Sequence, residues 1–137
     1  MSRTQHLPLY SSIYVFTREI YRIKLKLPKV LKHDLGQEVF RSAIKLLKCV
    51  VLANRAREKE RHISRLLLEV EVQWTFLRLL FELRGISEGE FKVLSERLTD
   101  IGKQAQGWQK WQQSGQPKKR MTSSITAKKL GSLEKSQ

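Results

Sequence analysis

The side chains in this chain best suited to chemistry are its cations. Arg41, Lys45 and Lys48 stand at i, i+4 and i+7, with Arg55 extending the row, so a helix places them on one face with no carboxylate inside the row. Arg18, Arg22 and Lys26 repeat at i, i+4 and i+8 earlier in the chain, beside a stripe of Tyr10, Tyr14 and Tyr21. The chemistry of such rows is electrostatic: Lys and Arg displace counterions from phosphates, and rings stack on bases. A solvated helix face ordinarily mixes signs, so an unmixed basic row favours an anionic partner. The plainer reading of the tyrosines, that they pack on a neighbouring helix, takes precedence for that stripe.

Composition points the same way. The 137 residues carry a formal net charge of +14 and a pI near 10.3. A charge of this size attracts polyanions, of which nucleic acid is the commonest; an acidic protein partner, or solubility alone, is the alternative. Covalent chemistry finds no support. His6, His33 and His62 have no Glu three residues before them, so the inward Glu-x-x-His pairs of di-iron bundles are missing. There is no Cys-x-x-Cys, phosphate loop or Gly-x-Ser-x-Gly. The expectation is a binding or scaffold protein, not an enzyme, with no metal or cofactor. The single Cys49 cannot form an internal disulfide, which suits a reducing, cytoplasmic compartment. No apolar run is long enough for a membrane span, and the first residues do not read as a secretory signal.

The element that must organise these residues is the stretch 58–84, free of Pro and Gly and rich in Leu, Glu, Arg, Val and Phe. As a helix it has two apolar stripes. One is Ile63, Leu66, Leu67, Val70, Trp74, Leu77 and Phe81; the other is Leu68, Val72, Phe76, Leu79 and Leu83, on nearly the opposite side. Glu71, Thr75, Arg78 and Glu82 form a polar seam between them. A helix apolar on two sides is buried on two sides. The second stripe is therefore expected to face another subunit, the alternative being one large monomeric core.

Three further helices are expected. Over 9–27, Leu9, Ile13, Phe16, Ile20, Ile23 and Leu27 make one core face, ended by Pro28. Residues 29–34 form a basic linker, and Asp34 with Gln37 a capping box. The next helix runs to about Ala56 on a core face of Val39, Phe40, Ala43, Ile44, Leu47, Val50 and Val51, with Cys49 a small filler away from it. Residues 54–60 make a tight turn or, lacking Gly and Pro, a kink in one continuous helix. Gly85 is placed in a left-handed cap. Ser87 and Glu90 form a capping box, with Ile86 and Phe91 as hydrophobic staple. The last helix carries Phe91, Leu94, Leu98, Ile101, Ala105 and Trp108 and ends near Trp111. From Ser114 the chain loses periodicity and holds six basic residues against one Glu, a basic tail with +5 of the charge that leaves +9 on residues 1–113. The fold class is all-α: an antiparallel up-down four-helix bundle over 1–113 and a disordered tail over 114–137.

Leu27-Pro28-Lys29, Asp34-Leu35-Gly36, Leu83-Arg84-Gly85-Ile86-Ser87, Ile101-Gly102 and Gly107-Trp108, in this helix order, resemble a family of small four-helix-bundle proteins. These are the accessory variability proteins (Avd) of diversity-generating retroelements and the proteins encoded in intervening sequences of bacterial ribosomal RNA. The resemblance covers about residues 9–111, and the high charge with Gly107-Trp108-Gln109-Lys110-Trp111 looks more like the retroelement branch. It implies a homopentameric ring that binds a reverse transcriptase and its template RNA, supports mutagenic copying, and performs no phosphoryl transfer itself. The basic residues above, with Leu68, Val72, Phe76, Leu79 and Leu83 at subunit contacts, are the candidate sites. A structural adaptor that binds a protein or ribosomal RNA without a reverse transcriptase is the alternative.

Overall fold

A computed structural model describes residues 7–114. It contains five helices and, among the described residues, no strand: α1 (Pro8–Lys26), α2 (Lys29–His33), α3 (Leu35–Arg55), α4 (Glu60–Glu82) and α5 (Glu88–Ser114). Of the basic tail expected over 114–137, Ser114 is instead the last residue of α5, and the rest, with His6, lies outside the described residues.

Each helix end has a chemical cause. Pro8 opens α1, where its missing N–H costs nothing, and all six expected core residues of α1 and its C-cap, Leu9 through Leu27, are buried. Pro28 holds Leu27 extended, at ψ 152°. The expected linker 29–34 is instead the short helix α2. Pro28 leaves its own carbonyl free, Lys32 N–H donates to it at 2.8 Å, and nothing in Lys-Val-Leu-Lys-His opposes a helical turn. The Asp34 carboxylate accepts from the N–H of Leu35, so the expected Gln37 box is replaced by a tighter local cap.

Between α3 and α4 the chain breaks at Ala56, whose ψ is 151°, so the continuous kinked helix is not formed. Lys59 explains how a turn without Gly or Pro is held. Its ammonium donates to the carbonyls of Ala53, Asn54 and Ala56 at 3.0, 2.9 and 2.9 Å, where the α3 dipole is negative.

At the end of α4 the left-handed residue is Arg84, at φ 62°, and not Gly85. Gly85 N–H donates to Leu80 O at 2.7 Å and Arg84 N–H to Phe81 O at 3.0 Å, the bond pair of a Schellman motif. Gly85, one position later, is closely packed: a Cβ there would meet Leu31, Leu80 and Leu27 side chains at 3.1–3.3 Å, and those methyls would have to give by a few tenths of an ångström. The α5 capping box forms as read: Ser87 N–H donates to Glu90 at 2.9 Å, and Glu90 N–H to Ser87 Oγ at 3.0 Å. Ile86 is buried, and Phe91 stacks on Phe81 with centroids 4.7 Å apart. Helix α5 runs past Trp111 to Ser114, tied to the start of α4 by Gln109–Ser64 and Gln113–Glu60 hydrogen bonds.

The principal packing is cyclic: α1 lies against α3 and α5, α4 against α3 and α5, and α2 on α3. Residue numbers rise along one helix as they fall along its neighbour. Thr17 meets Ala43 while Tyr21 meets Phe40, and Ser12 meets Gln104 while Lys26 meets Glu90. The core faces of α3 and α4 are rotated from expectation. Helix α3 buries Val39, Ala43, Leu46, Val50 and Ala53, leaving Phe40, Ile44, Leu47 and Val51 half-buried. Helix α4 buries Ile63, Leu66, Val70, Gln73, Leu77 and Leu80, a strict three-four repeat, while Leu67, Trp74 and Phe81 sit on its flank.

Candidate nucleic-acid interface

The charge is segregated. Residues 8–55 hold ten Lys and Arg against three carboxylates, a net of +7, whereas residues 60–114 hold eight against eight. Because α1 packs on α3 and α4 on α5, this split along the chain becomes a basic half and a balanced half in space.

On α3 the candidate residues Arg41, Lys45, Lys48 and Arg55 are all exposed. Arg41 is not isolated: Glu38, one turn earlier and outside the row, pairs with it at 2.7 Å. Among the described residues, Lys45, Lys48 and Arg55 make no ion pair. The α1 row is more neutralised. Arg22 pairs with Glu19 at 2.9 Å and Lys26 with Glu90 at 3.3 Å, while the Arg18 guanidinium lies 5.9 Å from the Tyr14 ring centroid. Exposed pairs of this kind hold only about 0–1 kcal/mol and yield to a phosphate.

Lys24, which the sequence reading passed over, sits between the two rows. Its ammonium lies 6.0 Å from the Tyr21 centroid and 5.9 Å from that of Phe40, and those rings are 5.2 Å apart. Lys24, Gln37, Phe40, Arg41 and Ile44 line an open recess of about 330 Å³ between α1 and α3. The available signal was Tyr21 and Lys24 at i, i+3 opposite the half-buried Phe40; it needed the α1–α3 pairing to become visible. The tyrosines divide: Tyr10 stacks on Tyr14, while Tyr21 packs on the neighbouring helix.

The second stripe of α4 lies on its outer side. Leu68 is 61% exposed, Leu83 51% and Leu79 40%, with Val72 and Phe76 half-buried. Cys49 is half-buried, and burial, with Glu69 adding to it, pushes its thiol above the ordinary range, the reverse of an activated nucleophile. Among the described residues, no group of three or more His, Cys, Asp or Glu could hold a metal ion, and no helix is long and apolar enough to cross a membrane.

These features define an all-helical protein whose distinctive chemistry is surface charge. Over residues 9–112 the sequence matches the bAvd-like family model, and the chain belongs to that family, a non-catalytic accessory family of the Avd type associated with retroelements. No curated protein and no solved structure matches the chain.

Proposed function

We propose that this protein is a nucleic-acid-binding accessory subunit of a retroelement reverse transcriptase, holding enzyme and template RNA together for mutagenic retrohoming and catalysing nothing itself. The observation that carries the reading is the segregation of charge, +7 on residues 8–55 and none on 60–114, in a chain of the bAvd-like family. A basic half offers the phosphate backbone of RNA, or of DNA, a continuous field, and binding driven by counterion release needs no sequence readout. The oppositely running helix contacts support an antiparallel up-down four-helix bundle. The outer stripe of Leu68, Val72, Phe76, Leu79 and Leu83, of which Leu68, Leu79 and Leu83 are exposed, supports assembly of that bundle into a homo-oligomeric ring, a pentamer by family resemblance, in the cytoplasm. The alternative, an adaptor that binds only protein, rests on the same stripe.

Co-purification of the protein with a retroelement reverse transcriptase, with and without nuclease, tests the reading. Capture of the enzyme together with RNA is the expected result. Capture of enzyme but no RNA removes the nucleic-acid part of the reading, and capture of neither favours the adaptor that works without a reverse transcriptase.

A further inference from the structure

Lys24, Gln37, Phe40 and Arg41 line the recess between α1 and α3, and Tyr21, packed on Phe40 with ring centroids 5.2 Å apart, stands at its edge; the four polar or charged groups among these five lie outside the buried core. The Tyr21 ring is 44% exposed and leans on the half-buried Phe40 at an interplanar angle of 54°, so the two rings form a tilted wall. Lys24 stands within 6.0 Å of both ring centroids, and among the described residues no carboxylate pairs with it. Arg41 is held at the other side of the recess by Glu38. The Gln37 amide is exposed, and no hydrogen bond occupies it among the described residues. An aromatic surface flanked by two cations and a free amide matches one nucleotide: a base against the ring, its phosphates on the cations, and its edge within reach of an amide that both donates and accepts.

We propose that this recess is a subsite for one unpaired base of single-stranded RNA, with Tyr21 the stacking surface, Lys24 and Arg41 the phosphate contacts, and Gln37 facing the base edge. The inference rests on the RNA-binding reading above and narrows it. Lysines along an outer face attract duplex and single strand alike, whereas an aromatic wall in a recess takes only a base free to leave its stack. Lys45, Lys48 and Arg55, which make no ion pair among the described residues, continue along the same helix and provide contacts to the phosphates of the flanking nucleotides.

The test uses the full chain and a single-stranded RNA of about 12 nucleotides, spanning a site size of the usual range, with 2-aminopurine at one central position. Stacking on an aromatic side chain quenches that base, so quenching on binding is expected for the wild type. Tyr21→Leu keeps apolar volume against Phe40 but removes the ring; it should abolish the quenching and weaken single-strand binding about tenfold. Its affinity for a duplex of the same length should stay unchanged. Lys24→Gln should weaken the single strand while leaving quenching at saturation intact, and this exposed-end substitution provides a second reading should Tyr21→Leu unfold. Tight RNA binding without quenching, or equal losses on single strand and duplex, would overturn the base subsite while the phosphate reading stands. Failure of the wild type to bind either RNA would overturn both.

Discussion

Gln73, fully buried in α4, donates through Nε2 to the main-chain oxygen of Val39 in α3 at 3.1 Å. It occupies a core position of an otherwise apolar three-four repeat, and among the described residues its Oε1 has no partner. A buried unsatisfied oxygen costs about 1–3 kcal/mol, which offsets what the Nε2 bond contributes. Gln73→Leu is therefore expected to be neutral or stabilising in thermal melts, and Gln73→Ala, which leaves a cavity, to lose about 2 kcal/mol or more. A Leu variant that melts far below the wild type would show that the amide fixes the α3–α4 register and does more than fill space.

The two C-terminal tryptophans separate by burial. Trp108 is half-buried against the core, whereas Trp111 is 59% exposed. Trp108→Ala should cost about 2 kcal/mol, short of the ~3–5 kcal/mol of a fully buried ring. Trp111→Ala should stay within about 0.5 kcal/mol. Denaturant titration of both variants checks the order, and a larger loss at Trp111 would mean that its ring is covered in the assembled protein.

Glu90 gives the α5 start a pH dependence. The Ser87 N–H above all, opposed by desolvation and aided by Lys26, holds the Glu90 carboxyl below its ordinary value. A lowered folded-state pKa means that the stabilisation is complete above the unfolded value and is lost as pH falls through the folded one. Glu90→Gln should thus melt below the wild type at neutral pH and converge with it in acid. Parallel curves at all pH values would leave the carboxylate without a role. Ser87→Ala removes the other half of the box and should cost about 1 kcal/mol.

Much of this fold is legible in the sequence, and the misses share a physical origin. The core of α1 and the Ser87–Glu90 box are set by residues within one or two turns, and both form as read. The faces of α3 and α4 depend on which of two adjacent apolar stripes turns inward against the neighbouring helices, so Leu46, Gln73 and Leu80 are recovered only from packing. Arg84 takes the left-handed cap while Gly85 sits where Leu27, Leu31 and Leu80 crowd, a tertiary packing that local rules do not register. Of the candidate site, the two cationic rows are readable, but Lys24 and the ring pair acquire meaning only once α1 lies on α3.

The outer stripe of α4 predicts self-association. Leu68→Glu with Leu79→Glu places two carboxylates on its exposed positions, where burial in a subunit contact without partners costs several kcal/mol. Light scattering should find the wild type oligomeric and the double variant smaller yet equally helical. A wild type that is monomeric at micromolar concentration contradicts the ring.

The claim that the basic half carries RNA is tested most directly by two charge-matched triple variants of the full chain. One reverses Lys45, Lys48 and Arg55 to Glu on α3; the other reverses the exposed Arg61, Lys92 and Lys103 to Glu on the balanced half. Both lower the net charge equally and both keep the basic tail. RNA affinity is measured against salt concentration for each. The α3 variant should bind at least tenfold more weakly than the control, with a log–log salt slope shallower by about 2, from roughly 0.7 per lost phosphate contact on a single strand. Equal losses and equal slopes in the two variants would mean that RNA responds to net charge alone, and that the segregated basic half has no place in its binding.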